Sequence, residues 1–308
     1  MGSAAHLEPP ERLVRSVTAW EGEAGQAWLA RLPGRVADCL ERWELTAERV
    51  VAAGGRISMV VLVRTAGGEP AVLKVGMVNQ ETEQEHAALA HWGGRGAARL
   101  LRAEPAEGAM LLERLRADIS LRSLAEAKAM LEAEAVLQRL WVQPAGDHPF
   151  RTVATATGGQ AALLRELRTA AGAADAGQLI DEALAARAEL ADSAASVESV
   201  LLHGDYHHGN VLAGERTPWL AIDPRPLVGE RAYDLAWLTR DRLSTLVAQP
   251  GARAAARRRI AKLAEALDVD AARLRGWAVF RAVEAGVRCL SAGRREDGEL
   301  LLEFASWL

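Results

Sequence analysis

The chain has 308 residues, of which half are hydrophobic and a quarter are charged, a composition typical of a globular protein. Its net charge of −4 argues against nucleic acid as the main partner and suits a cationic small molecule in an acidic cleft. No apolar run approaches the ~18 residues of a membrane span. The two cysteines, Cys39 and Cys289, lie far apart in the sequence, which favours free thiols in a reducing cytoplasm over a disulfide framework.

The N-terminal part of the chain predicts a small sheet with helices. Trp28, Leu32 and Val36 recur at the spacing of an amphipathic helix over residues 24–44, which a Pro-Gly pair could kink. Beyond this helix the pattern predicts strand, strand, helix, strand, strand, in that order. These elements cover residues 57–63, 71–75, 80–92, 98–101 and 110–115.

After Leu115 the sequence becomes mainly helical. Residues 146–159 contain Pro, Gly and Thr and predict a loop. We therefore predict an α+β protein with two lobes: residues 1–115 as a nucleotide-binding lobe and residues 116–308 as a catalytic and substrate-binding lobe. The helices of the second lobe are expected at residues 121–142, 160–171, 178–196, 232–247, 252–267, 271–292 and 297–307.

One polar segment between strand-like runs carries the strongest functional pattern. It reads His203-Gly204-Asp205, with Asn210 five residues after that aspartate and Asp223 eighteen residues after it. In kinases an aspartate meets the substrate hydroxyl, while an asparagine and a second aspartate hold Mg²⁺ against the nucleotide phosphates. Each residue alone could be an ordinary turn residue. Type and spacing together predict Asp205 as the catalytic base and Asn210 and Asp223 as magnesium ligands.

Lys74 has apolar neighbours on both sides of a predicted strand. A lysine in this setting reaches the α- and β-phosphates of ATP in kinases. Its expected partner is a glutamate on the following helix, with Glu85 preferred and Glu81, one turn earlier, as the second choice.

Two further segments are candidates for nucleotide contact. Gly54 and Gly55 precede Ser58 without forming a G-x-G-x-x-G motif, so backbone contact with phosphate and a plain hairpin turn stay equally open. Backbone groups near Glu113 and Leu115 would hydrogen-bond the adenine ring if this segment joins the two lobes, and a buried strand is the alternative.

Candidate contacts to the acceptor substrate are fewer. Besides Asp205, they are His207 in the same loop and Glu230, which could instead be an ordinary surface glutamate. The neighbouring Asp234 is expected to cap the N-terminus of a helix.

Four segments together resemble the aminoglycoside phosphotransferase family, in particular the branch that contains streptomycin 6-kinases and hydroxyurea phosphotransferases. They are residues 85–92, 97–101, 108–115 and 223–236, and the resemblance extends from about residue 50 to about residue 240. It implies a two-lobed protein-kinase-like fold, with Asp205 as base, Asn210 and Asp223 on Mg²⁺ and Lys74 on the ATP phosphates. Family members often carry lysine after the Asp-Pro pair, where this chain has Arg225, which keeps the charge.

The expected activity is therefore ATP- and Mg²⁺-dependent phosphorylation of a hydroxyl on a cationic small molecule, with streptomycin as the expected acceptor and antibiotic resistance as the outcome. One alternative is a related kinase for hydroxyurea, a sugar or an amino alcohol. Another is an inactive nucleotide-binding protein with a kinase fold, which has no need of the complete catalytic set. DNA binding through the arginines at 257–259 is disfavoured, because such a run is typical of a solvated helix face. The sequence carries no signal of oligomeric state.

Overall fold

The computed structural model describes residues 7–52, 54–168 and 176–308. The chain divides into two compact units. The first comprises the described residues of Met1–Ser120 together with Leu212–Arg225, and the second comprises those of Leu121–Val211 and Pro226–Leu308. The predicted lobes, divided near residue 115, did not include this return of the chain to the first unit. The functions assigned to the two lobes stay predictions.

The centre of the first unit is a five-stranded antiparallel sheet. The side chains of its second strand alternate between buried and less buried, which is the pattern of a sheet with one face on a core. In spatial order the strands are β1 (Thr46–Val50), β2 (Ser58–Arg64), β3 (Pro70–Gly76), β5 (Ala109–Glu113) and β4 (Leu100–Glu104).

Three helices belong to this unit: α1 (Glu11–Trp20), α2 (Gly22–Arg42) and α3 (Glu85–Trp92). Apolar residues of α1 and α2 share one core cluster with β2 and β3. The helix α2 continues through Pro33 without interruption. Trp28, Leu32 and Val36 are buried on both sides of the proline, so packing of the apolar stripe extends past it. Neither α1 nor the strand β1 was predicted. For β1 the reason is that the strand has charged residues and little burial.

A second, three-stranded sheet contains β6 (Arg116–Ser120), β8 (Val211–Ala213) and β9 (Trp219–Ala221). Strand β9 is tied to the rest of the first unit, because the Ala98 N–H donates to Ala221 O and the Ala221 N–H donates to Gly96 O, both at 2.8 Å. This attachment brings the segment that ends at Arg225 back to the N-terminal sheet region.

The second unit is mainly helical and contains one two-stranded antiparallel sheet. The predicted α+β class, with a small sheet part and a larger, mainly helical part, is confirmed. The strands of the two-stranded sheet are β7 (Val200–Leu202) and β10 (Leu227–Gly229). The helices of the second unit are α4 (Glu126–Leu140), α5 (Val153–Leu167), α6 (Gly177–Asp192), α7 (Arg231–Thr239), α8 (Leu243–Val247), α9 (Ala252–Ala266), α10 (Ala271–Ser291) and α11 (Arg295–Ser306).

Two predicted elements of this unit differ from the structure. Helix α5 begins at Val153, inside the predicted loop, because the Thr152 hydroxyl accepts the Thr155 N–H and caps the helix. The helix predicted over residues 232–247 is two helices, separated where Arg242 adopts a left-handed φ of 55°. Residues 169–171 of another predicted helix lie outside the described residues. None of the helices that the structure describes combines the length and the hydropathy needed to span a bilayer.

Candidate active site

In the first unit, Lys74 lies between two carboxylates. Its Nζ is 2.6 and 2.7 Å from the two carboxylate oxygens of Glu85 and 2.8 Å from Asp223 Oδ1. Lys74 comes from β3 and is 7% exposed, and Glu85 is the first residue of α3 and is 4% exposed. The expected contact between Lys74 and Glu85 is therefore present. The second choice, Glu81, instead binds Arg225 at 2.5 Å.

The two carboxylates keep this lysine charged. Burial by itself disfavours the ammonium, but the negative charges of Asp223 and Glu85 outweigh it and raise the pKa of Lys74 above its ordinary value. Lys74 therefore keeps its positive charge in a buried position. Because the Asp223 side chain is 39% exposed while Glu85 is buried, Asp223 is the carboxylate that a ligand could reach.

Asp223 has an unusual backbone conformation, with a φ of 56°. Left-handed residues other than glycine are uncommon, and aspartate tolerates this region better than most. The following Pro224 disfavours the right-handed helical region at residue 223. Residues in such conformations cluster at functional sites. This conformation, two residues after the end of β9, accompanies the contact of the Asp223 carboxylate with Lys74.

In the second unit, the backbone just before Asp205 is held by Asp234. The Gly204 N–H donates to Asp234 Oδ1 and the His203 N–H donates to Asp234 Oδ2, both at 2.7 Å. Trp141 Nε1 donates to the same Oδ2 at 3.3 Å. Asp234 is fully buried in the first turn of α7. The expectation that it caps this helix is wrong, because the N-cap residue is Glu230 and Asp234 binds the loop instead.

Further hydrogen bonds fix the same loop from other elements. Arg281 of α10 donates to Gly204 O at 2.7 Å. The buried Tyr206 hydroxyl donates to Ala133 O of α4 at 2.8 Å. The His208 N–H donates to Asp241 Oδ2 at 2.6 Å. The loop is thus attached to α4, to α10, to the first turn of α7 and to the connection between α7 and α8, which gives the Asp205 side chain a rigid base.

Asn210 is bonded back onto the loop. Its Nδ2 donates to Asp205 O at 3.0 Å, and its own N–H donates to His207 O at 2.9 Å. Because the amide nitrogen of Asn210 is engaged in the bond to Asp205 O, the atom that the side chain could offer to a metal is its amide oxygen. An amide oxygen is the kind of ligand that Mg²⁺ prefers. The orientation of Asn210 therefore suits the metal-binding role predicted for it, which stays a prediction.

His207 is held in one tautomer. Its Nδ1 accepts the Gly209 N–H at 3.0 Å, so the ring proton of the neutral form lies on Nε2. Burial lowers the pKa of His207, which favours the neutral form. The ring packs on Trp237 of α7 with a centroid distance of 5.0 Å. Its predicted contact with the acceptor stays a prediction.

Glu230 is not a surface residue. It is 7% exposed, and both of its carboxylate oxygens accept hydrogen bonds from Arg273 at 2.6 Å. Trp277 Nε1 also donates to Glu230 at 2.7 Å. These contacts give Glu230 a structural role at the start of α7, and a contact with substrate stays a prediction.

The candidate nucleotide contacts of the first unit lie at strand ends. Gly54 and Gly55 belong to the connection between β1 and β2, and a Cβ on Gly55 would lie 2.1 Å from Ser58 Oγ. The Glu113 N–H donates to Arg99 O at 3.0 Å, so a contact of Glu113 with adenine would have to use its carbonyl. Leu115 follows in the short connection from β5 to β6.

Three residues that support the Asp205 loop were not recognised as such from the sequence: Asp234, Asp241 and Arg281. Their side chains act on backbone atoms, and such contacts leave no motif at a fixed spacing. The apolar residues next to Asp234 in α7 indicate that this acid is buried, but they do not indicate which donors it binds. A buried carboxylate needs hydrogen-bond donors.

The sequence matches the family model described as aminoglycoside/hydroxyurea antibiotic resistance kinase over residues 42–293. A streptomycin 6-kinase from Streptomyces glaucescens is 37% identical, covering 99% of this chain and 97% of the relative. A hydroxyurea phosphotransferase from Kitasatospora aureofaciens is 39% identical, covering 97% of this chain and 83% of the relative.

Among solved structures, a thermostable mutant of aminoglycoside phosphotransferase APH(4)-Ia in ternary complex with AMP-PNP and hygromycin B is similar in fold. It has a TM-score of 0.61 and 15% sequence identity, and the match covers 88% of this chain and 96% of that one. The predicted protein-kinase-like fold is confirmed.

Proposed function

The chain belongs to the aminoglycoside/hydroxyurea antibiotic resistance kinase family, and from this premise we propose that it transfers the γ-phosphoryl group of ATP to a hydroxyl of streptomycin. The observation that carries the proposal is the Lys74 ammonium, held between Glu85 and Asp223 within 2.8 Å of both carboxylates. A buried ion pair of this kind contributes little net stability. It is the arrangement that protein kinases use to hold ATP phosphates.

Asp205 acts on the acceptor. Its carboxylate accepts a hydrogen bond from the acceptor hydroxyl, which orients an oxygen lone pair towards the γ-phosphorus, and it takes the proton as the new O–P bond forms. The bond between the γ-phosphorus and the β,γ-bridging oxygen breaks, and ADP leaves. The bonds from Asp234 and Arg281 to the backbone before Asp205 keep the carboxylate in place, so it reorganises little during the reaction.

The two residues that we propose as metal ligands would each supply oxygen, Asn210 from its amide and Asp223 from its carboxylate. A hard cation such as Mg²⁺ is bound by one or two protein ligands of this type together with substrate phosphates. When bound, Mg²⁺ would neutralise charge that develops on the phosphate oxygens. Lys74 holds the phosphates by its charge, because two carboxylates keep it protonated despite its burial while nucleotides bind and leave.

Streptomycin as acceptor is supported by the relatives of that name, which match almost the full length of the chain. The net charge of −4 suits a cationic acceptor. Phosphorylation adds about −1.5 to −2 charges at neutral pH, which converts a polycation into a less basic molecule. In this proposal the enzyme works in the cytoplasm, where ATP is abundant, and it confers resistance to the antibiotic.

Hydroxyurea is a second candidate acceptor. It is favoured by one specific observation, the relative named hydroxyurea phosphotransferase, whose identity to this chain is as high as that of the streptomycin kinases. Hydroxyurea is small and uncharged, so its recognition would not need the acidic surroundings that a guanidinium-bearing acceptor requires.

Mg²⁺-dependent release of ADP from ATP tests the proposal. The purified protein is assayed with streptomycin, kanamycin, hydroxyurea or no acceptor, and Asp205→Asn serves as the matched catalytic control. We expect streptomycin alone to stimulate release, and Asp205→Asn to lower kcat by at least about 10³-fold with nucleotide affinity within twofold of the unmodified protein. Stimulation by hydroxyurea alone would select the second candidate. No stimulation by any acceptor would refute both.

A further inference from the structure

Arg122 lies directly against the Asp205 loop. It belongs to the short 3-10 turn Leu121–Ser123, and its side chain packs on Gly209. A Cβ on Gly209 would lie 2.9 Å from Arg122 Cζ and 3.0 Å from Arg122 Nη2. The guanidinium therefore occupies the space that any other residue at 209 would fill, one position before Asn210. Arg122 is exposed, so a ligand can reach it.

Two adjacent residues, Asp241 and Arg242, hold the loop and the backbone of Arg122 in place. Asp241 Oδ2 accepts the His208 N–H, which fixes the loop. Arg242 Nη2 donates to Leu121 O at 3.0 Å, to Leu124 O at 2.9 Å and to Arg122 O at 3.3 Å, which fixes the backbone that carries Arg122.

Arg242 itself has a left-handed φ of 55°, and its N–H donates to Asp241 Oδ1 at 2.9 Å. A bulky residue is rarely found in this conformation, which persists only where the surroundings require it. The strained connection between α7 and α8 thus holds Arg122 against the loop. The position of Arg122 does not depend on its own side chain alone.

The side chains nearest to a Cβ position on Gly209 are those of Arg122 and His207. His207 Cε1 lies 3.0 Å from the same Cβ position. Arg122 carries a permanent positive charge with five N–H donors and no acceptor. A fixed positive charge that carries N–H donors attracts an anion. The anion that the proposed reaction brings to this loop is the phosphoryl group of ATP.

We propose that Arg122 is a catalytic residue that contacts the oxygens of the transferred γ-phosphoryl group, and that Arg242 is a positioning residue that holds Arg122 in place. The inference rests on the proposed function and adds a phosphate contact to it. Guanidinium groups bind phosphate oxygens by charge-assisted, often paired hydrogen bonds. The contact strengthens as charge redistributes on these oxygens in the transition state.

Nucleotide affinity provides a test that does not need an acceptor. The dissociation constants of Mg·AMP-PNP and Mg·ADP are measured for the full chain and for Arg122→Gln, with Arg258→Ala, an exposed arginine of α9, as the matched control. We expect Arg122→Gln to weaken AMP-PNP by about tenfold and ADP by less than twofold, because only AMP-PNP has the γ-phosphoryl group. The control should change neither.

Turnover separates the contact from a structural role. Arg122→Ala should lower kcat by about 10²-fold with an unchanged melting temperature, and added guanidinium ion at millimolar concentration should restore part of the rate. Adding Arg242→Ala to Arg122→Ala should cause little further loss, since Arg242 acts through Arg122.

Equal losses of affinity for the two nucleotides, or none, would overturn this inference while leaving the proposed function intact. Failure of the unmodified protein to bind either nucleotide would overturn both.

Discussion

Replacing Asp234 with asparagine should release the loop that carries Asp205, although the two side chains have nearly the same shape. The aspartate offers one oxygen to Gly204 and the other to both His203 and Trp141. Asparagine has only one acceptor oxygen. Its NH₂ group would therefore have to face at least one of these buried N–H groups, and two donors would point at each other.

The cost follows from these bonds. In the better orientation the asparagine oxygen keeps His203 and Trp141 and loses Gly204, whose bond to the carboxylate is 2.7 Å long. A hydrogen bond to a charged group contributes about 1.5–3 kcal/mol, and the unpaired buried N–H adds a penalty of similar size. We expect Asp234→Asn to reduce the free energy of unfolding by at least about 3 kcal/mol, equivalent to a fall in Tm of at least about 6 °C for a unit of this size.

Urea denaturation followed by fluorescence, together with steady-state kinetics at a temperature where the variant stays folded, measures both effects. Because Asp205 shifts with its loop, kcat should fall by about 10²-fold. Asp181→Asn is the matched control, since Asp181 is exposed and its partner Arg168 is also at the surface; it should cost less than about 1 kcal/mol. A loss of stability for Asp234→Asn as small as that of the control, or an unchanged kcat, would refute the reasoning.

Two further substitutions test the electrostatics of the two units. Lys74→Ala leaves the buried Glu85 carboxylate without its cation and should destabilise the protein by about 3–5 kcal/mol. In thermal unfolding, the double variant Lys74→Ala/Glu85→Gln should recover at least about 1 kcal/mol of this loss. No recovery would contradict the pairing. Burial lowers the pKa of His208, so below the unfolded-state value of about 6.5 the unfolded chain binds a proton that the native state binds less readily. Unfolding free energy should therefore decrease as the pH falls from about 7 to about 5, and His208→Gln should make this part of the pH profile flatter by up to about 1.4 kcal/mol per pH unit; an equally steep profile for the variant would contradict the assignment.

The sequence predicted the fold best where a pattern is local. Apolar periodicity located most helices within a few residues, and the strand containing Lys74 was identified from its apolar neighbours. The strand β1 was missed because its residues are charged and it owes its place in the sheet to pairing with β2. The start of α5 was missed because a single threonine hydroxyl caps it inside a segment rich in Gly and Thr.

The candidate site shows the same division. Asp205, Asn210, Asp223 and Lys74 could be named because their types and spacings repeat in kinases, and Glu85 because it lies on the helix that follows Lys74. The support of the loop could not be read from the sequence. Asp234 acts on backbone N–H groups some thirty residues away in the chain, a contact that only the folded path of the chain creates.

The first unit is formed by two separate segments of the chain, and this has a consequence for its folding during synthesis. Lys74 and Asp223 are 149 residues apart in the chain, and β9, which leads to Asp223, attaches to the N-terminal region through Ala98 and Ala221. A nascent chain that has left the ribosome only as far as Ser120 has every strand of the five-stranded sheet but not the carboxylate that completes the lysine cluster. The first unit is therefore complete only after Leu121–Val211, about half of the second unit, has been translated. A fragment that stops at residue 120 lacks Leu212–Arg225, which belong to the same unit. Such a fragment corresponds to an intermediate of synthesis and not to a complete unit.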